Sequence, residues 1–140
     1  RDMSSQTSRN NATNARVIEH ILNQGKFELV GESFSETLVE HDPHQAGAED
    51  PREGFVAAVQ MFRAAFPDNY TFIEDQVAEG DRVATRWRMT GTHRGPFMGL
   101  EPTGNKVEAT GIFFDRLENG RIVETWANYD LHGLLQQLQA

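Results

Sequence analysis

Two residues of this sequence join acid/base chemistry to a position at the edge of an element: Asp130, just ahead of a Leu-rich segment, and His41, beside Asp42 and Pro43. A carboxylate such as Asp130 can act as general acid or base where it meets a binding cavity. Its context equally fits a helix N-cap, because Asp is a favoured cap and helix-like sequence begins at once. An imidazole next to a carboxylate, as at His41-Asp42, can take or give a proton near neutral pH. The plainer reading there is a solvated loop pair at an X-Pro junction, and His44 reads as loop. Tyr129 offers a phenol that could donate to a ligand carbonyl, or a core aromatic whose hydroxyl pairs with backbone. Met61, Phe62, Trp87, Met89 and Phe113 are candidates to line a ligand cavity, with an ordinary core role as the alternative.

Other chemistries fall away because the residues for them are missing. The chain has no Cys, so disulfides, thiolate nucleophiles and zinc–sulfur sites are excluded. His93 and His132 lack paired carboxylates at ligand spacing, so no metal is expected. There is no phosphate-binding loop, dinucleotide fingerprint or nucleophile elbow. Thirteen Lys and Arg against 21 Asp and Glu leave a net charge of −8. That sign repels phosphate backbones and anionic bilayers, so neither nucleic acid nor a membrane is an expected partner. No apolar run approaches the ~20 residues of a membrane span, and residues 1–14 lack the apolar stretch of a signal peptide. A cytoplasmic address is therefore the default expectation. At 140 residues, 38% of them hydrophobic, the chain fits one globular domain.

The elements that must position these side chains read as helices first and strands second. Residues 1–10 are expected to form a mobile polar tail, with one domain over 11–140. Thr13 can cap a helix whose apolar positions Val17, Ile18, Ile21 and Leu22 share one face, and Gly25 is a plausible stop. A short amphipathic piece follows, with Phe27, Val30 and Phe34 facing inward. A short segment, Thr37 to His41, ends at Asp42-Pro43. Pro51 opens a clear helix with Phe55, Val59, Phe62 and Phe66 as its apolar stripe. After Pro67 the apolar period changes from near 3.6 to near 2. Strands are expected over Tyr70 to Ala78, Arg82 to Arg94, Lys106 to Leu117 and Arg121 to Tyr129. Asn119-Gly120 supplies the positive φ of a hairpin turn, and Leu131, Leu134, Leu135 and Leu138 imply a terminal helix.

Three helices followed by a four-strand antiparallel meander is an α+β pattern. Long strands with several glycines can curve over the helices and leave a cone-shaped interior. Alternation sets Val83, Thr85, Trp87 and Met89 on one face of the second strand, with Arg86 and Arg88 on the other. Ile112, Phe114 and Trp126 share the outer face with Arg86, Arg88, Glu108 and Glu124. Apolar residues on an outer face call for a cover, so a homodimer through it is expected.

The stretch Gly91-Thr92-His93-Arg94-Gly95, continuing through Gly99 to Pro102-Thr103-Gly104, resembles a connection typical of the SnoaL-like polyketide (ester) cyclases. The ending, Gly120-Arg121-Ile122-Val123-Glu124-Thr125-Trp126 with Asp130 and Leu134-Leu135-Gln136-Gln137-Leu138, is similar to that family's ending. The resemblance covers roughly residues 11 to 140. It implies the nuclear-transport-factor-2-like fold, a cone-shaped α+β barrel with a curved antiparallel sheet over N-terminal helices, usually dimeric. It also implies cofactor-free aldol closure of a polyketide ester by an Asp acid/base, with polar neighbours on the enolate oxygen. The Gln, His and Asp of the archetypal cyclase fall here on Gly111, Phe113 and Ala127.

Two functions follow as expectations. One is cofactor-free acid/base chemistry (cyclisation, isomerisation or epoxide hydrolysis) on a small hydrophobic polyketide-like compound, with Asp130 or His41 moving the proton. The other is a non-catalytic binding module that has lost the cyclase acid at Ala127. Whether any carboxylate enters the cavity discriminates between them.

Overall fold

The computed structural model describes residues 3–42 and 49–140. His44 lies outside them. Helix α1, Met3–Arg16, runs without a break into a π-helical turn over Val17–Leu22. Thr13 is therefore inside the helix and not its cap. It is buried, and its hydroxyl donates back to the Arg9 carbonyl. Residues 3–10, expected as a mobile tail, form the first half of α1. The pattern hid this because the inward face of α1 is polar: Asn10, Thr13 and Asn14 are all buried.

A single 3₁₀ turn, Phe27–Leu29, and the short helix α2, Val30–Ser33, lead into strand β1, Phe34–Glu40. Helix α3, Pro51–Ala65, starts as its sequence requires. Pro51 occupies the first turn, and the Asp50 carboxylate accepts from the Arg52 N–H at 3.0 Å. Strands β2, Tyr70–Glu79, β3, Arg82–Thr92, β4, Lys106–Glu118, and β5, Arg121–Tyr129, then form the meander. Asn119 and Gly120 carry the β4–β5 turn at φ 53° and 80°, the positive pair such a two-residue hairpin needs. Helix α4, Leu131–Gln139, ends the chain.

The fold is α+β: the described residues form four α-helices and a curved, unclosed sheet of five strands in the order β1-β5-β4-β3-β2. The fifth strand was not legible as part of the meander. β1 pairs parallel to β5, across most of the sequence, and such a pair has no turn residues to announce it. Register shifts between Ile73 and Asp75 and between Arg116 and Leu117 bend the sheet. One core group lies at the end closed by α4, around Phe66, Phe97 and Leu134, and another lies around Ile21, Phe34 and Ile122.

The His93 motif turns out to lock the β3–β4 connection. His93 is fully buried, and its Nδ1 accepts from the Thr103 N–H at 3.2 Å. The Arg94 and Gly95 N–H groups both donate to the Ala65 carbonyl at the end of α3. A Cβ on Gly95 would stand 2.3 Å from the Ala64 oxygen, so only glycine fits. No described helix is long and apolar enough to cross a membrane.

Candidate functional site

Between the inner face of the sheet, the end of α1 and α3 lies a pocket of about 140 Å³. Strand alternation decides which side chains reach it. Across the sheet, Trp87 pairs with Gly111 and Gly111 with Tyr129; Thr85 pairs with Phe113 and Phe113 with Ala127; Val83 pairs with Asp115 and Asp115 with Thr125. Trp87, Phe113, Ala127 and Tyr129 line the pocket, as do Met89 and Phe62. Met61 points off the outer side of α3 and is exposed. Trp87, Phe113 and Tyr129 form an aromatic wall, with centroids 5.4 Å apart for Trp87 and Phe113 and 6.4 Å for Trp87 and Tyr129. The Trp87 Nε1–H is buried with no partner among the described residues.

Into this apolar surround come three carboxylates: Glu40, Asp42 and Asp115. The last of these sits on β4 one inward step beyond Phe113 and is 4% exposed. The Asn14 Nδ2–H donates to its Oδ2 at 2.5 Å. Burial pushes the Asp115 carboxyl up to about 7; hydrogen bonds from the Thr125 hydroxyl and Asn14 pull against this, and the Glu40 charge adds to it. Burial also raises Glu40, offset by the Asp42 N–H that donates to its Oε1. Tyr129 is pushed up to about 12, first by burial and then by the Asp42 charge. Its phenol therefore keeps its proton at neutral pH. Around the pocket stand a carboxyl able to exchange a proton near neutrality, an uncharged phenol and an indole N–H.

The two acid/base candidates read from sequence do not line this pocket. Asp130 caps α4, its Oδ1 accepting from the Gly133 N–H at 2.9 Å. His41 faces the other side of the sheet. Its Nε2 is 2.8 Å from Glu124 Oε2, and its ring stacks on Trp126 at 4.8 Å. The reason is period 2 along and just past β1: with Leu38, Glu40 and Asp42 lining the pocket, Val39 and His41 fall on the opposite face. Asp115, Glu40 and Asn14 were missed by the sequence reading. The signal for Asp115 was present, because it shares parity with Gly111 and Phe113. Asn14 had none, since it is a polar residue inside a helix. Among the described residues, no three His, Asp or Glu side chains come together as a metal-holding group.

The model of the SnoaL-like polyketide cyclase family matches residues 12–138. The chain belongs to that family. This SnoaL-like chain is similar to IdmH of Streptomyces antibioticus, assigned as a polyketide cyclase: 37% identity over 94% of this chain and 99% of that one, with a TM-score of 0.82. It is also similar to AclR of Streptomyces galilaeus, assigned as a hydroxylase, at 26% identity over 95% and 86%, with a TM-score of 0.84. A SnoaL-like protein from Jannaschia sp. CCS1 shares the fold, with a TM-score of 0.86 at 24% identity over 100% and 98%. A search of curated proteins matched none. On the positions that the resemblance gives to the archetypal trio, Gly111 lies beneath Trp87 while Phe113 and Ala127 line the SnoaL-like pocket.

Proposed function

We propose that the pocket binds a small, mostly apolar carbonyl compound and that Asp115 moves a proton to or from it without a cofactor. The observation that carries this reading is a carboxyl in an apolar pocket with its pKa raised to about 7. A general acid/base works best when its pKa lies near the working pH. As carboxylate, Asp115 would take a proton from the carbon beside the carbonyl. As acid, it would return one to the carbon or to a leaving oxygen. The Tyr129 phenol, which keeps its proton, lines the same pocket and is the group we assign to the developing enolate oxygen. Cyclisation, isomerisation and epoxide opening all use such a proton transfer, and a polyketide-like substrate fits the family. A homodimer through the outer sheet face, where Ile112 and Phe114 are exposed beside Trp126, is part of the same reading.

A second reading, a binding module without catalysis, is favoured by Ala127 at the family's acid position. Deuterium uptake separates the two. With acetophenone in D2O, mass spectrometry should show faster exchange of the methyl protons with the wild type than without protein. Asp115→Asn should lower that catalysed rate by at least about 100-fold. Binding of acetophenone without accelerated exchange would overturn the catalytic reading and leave the binding module.

A further inference from the structure

Asn14 carries an unexplained feature. It is 3% exposed, deep on the inward face of α1, and its Nδ2–H donates to Asp115 Oδ2 at 2.5 Å across 101 residues of sequence. Its Oδ1 is buried with no partner among the described residues. A buried, unpaired amide oxygen costs free energy, and each such group in a folded protein asks for a reason. Asparagine is also a poor interior residue for a helix. A neutral Asp115 has an O–H to donate, and an Asn oxygen can accept it, whereas a charged Asp115 can only accept. The two halves of the amide are nearly the same shape, so a half-turn about the last side-chain bond exchanges them.

We propose that Asn14 is a positioning residue for Asp115: its Nδ2–H holds the carboxylate, and the amide turns over to accept through Oδ1 when Asp115 carries the proton. Its orphaned oxygen is then the acceptor required by the other protonation state. Thr125 on β5 donates its hydroxyl to the carboxylate, the Glu40 charge on β1 raises the Asp115 carboxyl, and the other titratable groups of the pocket wall are Asp42 beside β1, Tyr129 on β5 and Arg63 on α3. Of these, the guanidinium is tied through Nη1 to the carbonyls of Leu22 and Asn23. A positioning amide that follows the proton keeps the carboxyl aimed in both halves of a proton-transfer cycle. The inference rests on Asp115 being the acid/base of the proposed function.

The test uses the ligand-free protein, so its outcome is separate from turnover. In the wild type, the Asn14 side-chain amide signals should titrate with the same midpoint as the ¹³C signal of the Asp115 carboxyl. In Asn14→Leu, the Asp115 midpoint should rise by about half a pH unit or more, because the bond lost to the charged form is stronger than the one lost to the acid. Asn14 signals that stay fixed through the Asp115 titration overturn the proposal, and this holds even where Asn14→Leu fails to fold. So does a folded Asn14→Leu with an unchanged midpoint. Co-titration in a protein that shows no deuterium exchange supports the coupling while removing the catalytic reading.

Discussion

Trp87 lies flat against Gly111: a Cβ built on Gly111 would stand 2.3 Å from the indole Cζ2. The two residues are directly paired on β3 and β4. The absence of a side chain at 111 is what lets the indole form the pocket wall. Gly111→Ala should push the ring off the sheet and into the pocket. Overpacking of this kind costs about 1–3 kcal/mol. The expected outcome is a lower denaturation midpoint together with a changed Trp fluorescence maximum, read against Trp126→Phe to isolate the Trp87 signal.

Asp115 should make the protein lose stability as pH rises. Burial pushes its carboxyl up to about 7 in the folded state, from the usual 3.8 of an aspartate, so between these values the folded state holds more protons than the unfolded one. The stabilisation is complete below about pH 4 and is lost progressively up to about pH 7. Asp115→Asn removes that dependence, because an amide does not ionise. Above pH 7 the variant should be more stable than the wild type, by an amount on the order of a few kcal/mol. Urea unfolding at a series of pH values reads the difference, and a wild-type curve no steeper than the variant's would count against it.

At the end of β5, Asp130 should behave as a cap. Asp130→Ala removes the acceptor for the Gly133 N–H, at a cost of about 1 kcal/mol. Acetophenone binding and deuterium exchange should both survive the change. Loss of exchange with stability intact would return Asp130 to the list of acid/base groups.

The outer sheet face gives the prediction on assembly. Trp126 stacks on His41 and meets Phe114 edge-on at 5.7 Å, and Ile112 nearby is 49% exposed. Arg88 reaches Glu74 and Glu108 on the same face. With Arg88 paired within the chain, the apolar residues of this face are where the proposed dimer would form. Sedimentation should show a dimer at micromolar concentration and a monomer for Trp126→Glu. A monomeric wild type would refute the interface.

Much of this protein is legible in its residues taken in order. Period 2 after Pro67 fixed four strands, Asn119-Gly120 fixed a turn, and Pro51 fixed the start of α3, because each depends on neighbours in the chain. Alternation along β3 and β4 placed Trp87, Met89 and Phe113 on the inner face, and carried two residues further it reaches Asp115. The tertiary structure alone decided the rest. β1 joins β5 in parallel from the far end of the sequence, and that pairing turns Glu40 and Asp42 inward and His41 outward. Asn14 meets Asp115 only because α1 lays a polar face on the sheet, where no apolar period marks it. A raised carboxyl pKa belongs to the same class. Desolvation is a property of everything packed around a group, and nothing in the residues beside Asp115 in the chain records it.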